Sequence, residues 1–148
     1  MRYLSKTPFH APTFAQIEAY FAGELIEPAY VKMRARFEAL TGVTVHDIAY
    51  ASDGLKVTGI EVLPEFAAGE TGPLVIFNRG GSREFGALSV PQVMNLMMPL
   101  AVGLRAGALG SNYRGNAGGE GREEFGGAEV QDILALIEIG KRQPWWDG

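Results

Sequence analysis

The segment PLVIFN, Pro73–Asn78, carries no polar side chain from Leu74 to Phe77. A continuous apolar run of that length suits a strand covered on both faces, in the middle of a sheet. Upstream of it, Val43–Tyr50 and Val57–Leu63 alternate apolar with polar residues, and Ser52, Asp53 and Gly54 between them supply turn chemistry. That pattern predicts a β-hairpin with one solvated face. A hairpin followed by a buried strand commits the chain to a layered α/β or α+β architecture, and the segments that follow decide between them.

After the turn Arg79-Gly80-Gly81-Ser82, the stretch from Val90 to Ala106 is apolar enough for a buried helix, which Pro99 should kink or split. A short strand over Ala108–Asn112 then leads through a glycine-rich loop into a final helix. Its apolar stripe is predicted from Val130, Ile133, Leu134 and Ile137. Strand, helix, strand, helix after a hairpin implies a parallel sheet with crossover helices. Ahead of the hairpin, Phe14, Ile17, Tyr20 and Phe21 fall at helical spacing behind Thr13 as a cap. Pro28 then opens a second helix through Tyr30, Val31, Met33, Phe37 and Leu40 to Gly42. The expected organisation is a helical lead-in over residues 1–42 and an α/β unit over 43–148.

Composition narrows the function. The 148 residues are 47% hydrophobic and 20% charged, which is that of a folded globular chain. A formal charge of −4 disfavours nucleic acid and anionic membrane as partners. No run is read as a membrane span. Cysteine is absent, which removes disulfides, thiolate ligands and a cysteine nucleophile and fits a cytoplasmic setting. His10 and His46 have no second ligand at metal spacing, so neither a metal nor another cofactor is expected.

The loop NYRGNAGGEGREEFGGAEVQD, Asn112–Asp132, lies between a predicted strand and a predicted helix, where phosphate-binding loops sit. It lacks the Gly-Lys-Ser/Thr ending of a Walker loop, and Glu120, Glu123 and Glu124 occupy the ground an anion would need. The plain reading is that the glycines serve turns and the acids stand near a helix start. Asp132 reads as a capping or pairing residue, and Arg114 as a partner in a loop-to-helix salt bridge or a clamp for a substrate carboxylate.

Taken in order, SDGL, the hairpin, LVIFNRGG, a helix and this loop resemble the first half of the prolyl-oligopeptidase-type catalytic domain, a serine-peptidase family of α/β-hydrolase fold. The resemblance covers Ile48–Gly148 and is strongest over Asn112–Asp132. It implies an incomplete α/β-hydrolase sheet, a hairpin followed by parallel strands with crossover helices, preceded here by two helices. It also implies that Arg79, Gly80, Gly81 and Ser82 border the cleft and contribute to an oxyanion hole, with Tyr113 and Arg114 on a neighbouring cleft loop. Arg79 stands where some members carry a donor tyrosine.

The family's nucleophile is a serine in a Gly-x-Ser-x-Gly elbow, and no such motif occurs here. Ser5, Ser52, Ser82, Ser89 and Ser111 all lie outside any elbow. No catalytic residue is therefore assigned, and the family order would place the elbow after Trp146, Asp147 and Gly148, with the triad's acid and base later still. Two classes of function follow. One is the N-terminal portion of a serine hydrolase, acting on a peptide or ester only when completed. The other is a stand-alone, non-catalytic α/β module that binds a protein. Either way Leu74–Phe77 should lie at a sheet edge, paired with a second copy, with a complementary C-terminal half, or covered by the lead-in. The closing WWDG should leave large aromatic surface uncovered.

Overall fold

The computed structural model describes residues 2–9, 15 and 42–148. Among them are five strands: β1 (Tyr3–Pro8), β2 (Val43–Ser52), β3 (Leu55–Pro64), β4 (Leu74–Phe77) and β5 (Gly107–Ser111). They form one sheet in the order β1-β2-β3-β5-β4. The hairpin is present as the alternation predicts, in unbroken register from Val43 opposite Pro64 to Ser52 opposite Leu55. Its turn places Asp53 and Gly54 at φ 49° and 79°, the left-handed pair that matches strand twist in a two-residue loop. β5 runs antiparallel to β3 and parallel to β4. The chain therefore changes from antiparallel to parallel pairing at β5.

The crossover from β4 to β5 is made by three consecutive helical pieces: α1 (Val90–Gln92), a π-helical stretch (Val93–Met97) and α2 (Met98–Leu104). Pro99 has no N–H to give the preceding turn, and the helix widens just before it, with the Met98 N–H reaching back to the Val93 carbonyl. On this face Val93, Met97 and Ala101 pack against Ile60, Val62 and Ala108. On the other face α3 (Val130–Gly140) packs Ala135, Leu136 and Ile139 against Ile48, Tyr50, Val57 and Leu109.

Several sequence expectations change. The two helices expected over residues 13–42 lie, apart from Ala15 and Gly42, outside the described residues, but the lead-in begins with a strand, since β1 pairs antiparallel with β2. β3 is covered on both faces rather than solvated on one: Val57, Ile60, Glu61 and Val62 are all buried. The buried stripe of α3 is rotated from the predicted one, leaving Val130 and Leu134 each 48% exposed. With ILALIEI in its middle, the helix is apolar on two flanks, and periodicity alone does not choose between them. The segment Arg83–Leu104 is, by length and composition, apolar enough to cross a membrane, because Phe85–Leu104 carries no charged side chain. Here it supplies the π-helical stretch and α2 that cover the sheet. Trp145 is also not left bare, being buried against Gly107.

Candidate functional site

At the C-terminal end of β4 the chain turns through Asn78, Arg79, Gly80, Gly81 and Ser82 into a short 3-10 turn, Arg83–Gly86. The turn relies on backbone only glycine adopts freely. Gly81 has φ +80°, and a Cβ there would meet the Gly86 Cα at 3.1 Å. Arg79 is turned inward and bonded within the fold. Its Nη2 donates to Glu123 Oε2 at 2.9 Å, its Nε donates to the Asn112 carbonyl at 3.1 Å, and its guanidinium lies 4.5 Å from the Tyr113 ring centroid. With the residue only 5% exposed, its cation holds the framework.

Glu123 is the hub that sequence reasoning missed. Its single oxygen Oε2 accepts from Arg79 Nη2 (2.9 Å), the Arg83 backbone N–H (2.8 Å) and Asn116 Nδ2 (2.9 Å). One carboxylate thus fastens the loop after β4 to the glycine-rich loop after β5. A second fastening runs the other way, from the Ala117 N–H to Glu84 Oε1 at 2.9 Å. Charge-assisted bonds of this kind are about twice as strong as neutral ones. The acids of the glycine-rich loop are not simply solvated: Glu120 accepts the Lys56 N–H at 2.7 Å, and Glu129 accepts the N–H groups of Glu124 and Gly126. Burial alone would raise the Glu129 pKa, but the backbone N–H groups of Gly126, Glu129, Glu124 and Gly127 together hold it below the usual carboxylate range.

Arg114 is committed as well. Its Nη2 donates to Asp132 Oδ1 at 2.8 Å and to Asp53 Oδ2 at 2.9 Å, and its backbone N–H donates to Asp132 Oδ2 at 2.8 Å. Asp132 is fully buried. Of the two uses foreseen for Arg114, this is the loop-to-helix salt bridge; it joins the hairpin turn, the glycine-rich loop and α3. The hydrogen bond to Asp132 is the main cause holding the Arg114 pKa above its ordinary value.

Tyr113 does face open space. With Asn78, Gly81, Phe125, Val130 and Ile133 it lines a cavity of about 400 Å³ between the β4 turn and the start of α3. Tyr113 and Phe125 have φ of 61° and 62°, a left-handed conformation that costs a bulky residue about 1–2 kcal/mol. Such strain gathers where a surface is shaped for use. No nucleophile and base meet in the cavity. Ser82 follows β4 at one edge of the sheet, whereas His46 on β2 lies on the β1 side, 3.2 Å from Glu61. His10 lies outside the described residues. Among the described residues no group of three His, Asp or Glu side chains is placed to hold a metal.

The comparisons with known proteins agree with this geometry at the level of fold. No family model matches the chain. Over 102 residues it is 28% identical to the uncharacterized peptidase YtmA of Bacillus subtilis (strain 168), covering 69% of this chain and 37% of that protein. The rice cell wall degrading esterase LipA from Xanthomonas oryzae superposes with a TM-score of 0.55 at 14% identity, over 95% of this chain and 37% of its own. The esterase Est22 gives 0.52 at 15% identity, over 84% of this chain and 47% of its own. The fold is of the α/β-hydrolase type. The chain spans less than half the length of each of these proteins.

Proposed function

We propose that this chain is the N-terminal portion of a prolyl-oligopeptidase-like serine hydrolase and contributes one wall of the catalytic cleft. The observation that carries this reading is the loop over residues 80–82, held at the end of β4 by Glu123 and opening on the cavity beside Tyr113. Rigid backbone N–H groups at a strand end can meet charge developing on a carbonyl oxygen without reorganising. The likeness to a protein named a peptidase, and the family order of the glycine-rich loop, support the finer assignment over a general esterase-like module. Substrate would be a peptide or ester in the completed enzyme, because the nucleophile elbow, acid and base are not in this sequence.

The 148-residue chain should accordingly neither turn over an activated ester nor react with a fluorophosphonate. Stoichiometric labelling of one serine, Ser82 above all, would overturn the assignment. In a completed enzyme, Gly81→Val should lower kcat by about 10- to 1,000-fold, as loss of one oxyanion donor does. Unchanged turnover would remove this loop from the oxyanion hole.

A further inference from the structure

Glu123 lines a second cavity as well as the one beside Tyr113, so the two are neighbours. The second holds about 360 Å³ between the turn after β4 and the glycine-rich loop, with Arg83, Glu84 and Arg122 also in its wall. Both carboxylates there are engaged. Glu123 is matched by Arg79 and accepts from Arg83 and Asn116, and Glu84 Oε1 accepts the Ala117 N–H. The cations differ from them. Of the arginines on these two loops, Arg79 and Arg114 are ion-paired, whereas Arg83 and Arg122 are exposed and have no ion-pair partner among the described residues. With Glu123 matched by Arg79, Glu84 alone stands against the two free guanidinium groups, and the wall carries one positive charge in excess.

Exposed arginines are common, but these two are held by a backbone built to hold them. Arg83 has φ 50°, a left-handed conformation that side chains disfavour, and its N–H is fixed on Glu123 Oε2 at 2.8 Å. Glycine brings Arg122 in from the other side. A Cβ on Gly115 would stand 2.7 Å from the Gly121 carbonyl oxygen and 3.0 Å from the Arg122 Cα, so the loop closes there only without one. The Gly115 N–H donates to the Glu120 carbonyl at 2.8 Å and completes that turn.

We propose that Arg83 and Arg122 hold the terminal carboxylate of a peptide in this cavity, and that the hydrolase to which this wall belongs acts on peptides near that end. The substrate class rests on the functional reading above; the carboxylate site does not. A guanidinium presents its N–H donors as a planar fork that matches a carboxylate. One positive charge in excess suits a monoanion better than a dianionic phosphate, and it repels a peptide's amino end.

The test is an NMR titration of the 148-residue chain with N-acetyl-trialanine, with its C-terminal amide and with inorganic phosphate. The free carboxylate should shift the amides of Arg83, Gly115 and Arg122 saturably, with the amide form binding about ten-fold or more weakly. Arg83→Gln and Arg122→Gln should each weaken the carboxylate peptide about five-fold or more. Arg2→Gln, beside β1 at the far edge of the sheet, should not. The two peptides are compared on the parent chain, a comparison that does not depend on how a variant folds. No saturable shift, equal binding of the two peptides, affinity that either site substitution leaves unchanged, or phosphate binding as tightly as the peptide would each overturn the site. Binding needs no turnover, so a fluorophosphonate-reactive serine would sink the hydrolase reading and leave the carboxylate site standing.

Discussion

The two edges of the sheet are built in opposite ways. β1, YLSKTP, is exposed along its length from Leu4 to Pro8 and offers Ser5, Lys6, Thr7 and Pro8 to solvent. Under it lies the buried carboxylate of Glu61, which accepts the Tyr3 hydroxyl at 2.9 Å, pairs with Lys6 Nζ and stands 3.2 Å from His46 Nδ1, a contact without hydrogen-bond alignment. Lys, Pro and inward-facing charge are the devices that stop strands from adding to an edge. β4 has none of them from Leu74 to Phe77. One edge carries these devices and the other, among the described residues, does not.

The largest expected effect comes from undoing the finished edge. Glu61→Ala removes the group that ties β1 to β3 and leaves Tyr3, Lys6 and His46 without their common partner. It should lower unfolding free energy by about 3 kcal/mol in urea titrations. A loss under about 0.5 kcal/mol would mean that β1 is held by its ladder to β2 alone. On the other side, Gly107→Ala would set a Cβ 2.3 Å from Trp145 Cζ3 and push that ring off the sheet, along with the parallel bridge between Gly72 and Trp146. A stability loss of about 1–3 kcal/mol with a red-shifted tryptophan emission is expected. Unshifted emission would show that the bridge does not depend on the packing of Trp145.

Smaller and separable effects should come from pH. Burial raises the pKa of Tyr3, reinforced by Glu61, and burial likewise raises that of Tyr50 even though its bond to Ser111 works the other way. A tyrosine whose folded pKa is raised stabilises the fold below its unfolded value, and that contribution is lost as pH climbs past about 10. Alkali should therefore loosen the hairpin side. Glu129 has the opposite sign: its depressed pKa gives stability that is present above about pH 4 and lost as pH falls through the folded value. Acid should loosen the 124–129 loop beside the β4 cavity. Amide exchange of Gly126 that is unaltered by acid would count against the second half of this contrast.

How much of this was readable from sequence differs by element. Periodicity carries the hairpin and the uncharged β4, because both signals are local. β1 was missed because an edge strand in solvent shows no apolar alternation; only its partners on β2 and β3 make it a strand. The wrong flank of α3 was chosen because the helix is apolar on two sides, one against the sheet and one bare. At the site, Arg114 with Asp132 could be anticipated as a loop-to-helix pair across 18 residues. Arg79 with Glu123 could not, since the partners lie 44 residues apart, with the crossover helices and β5 between them.

The difference between the edges is tested most directly by sedimentation of the 148-residue chain over a range of concentrations, beside Ile76→Lys and Ser5→Val. Among the described residues no strand lies beyond β4, and the chain should associate through that edge. Ile76→Lys should weaken association about ten-fold or more by placing a charge beside the open edge, and Ser5→Val should leave it unchanged. A concentration-independent monomer, or association that Ser5→Val alters and Ile76→Lys does not, would contradict the account.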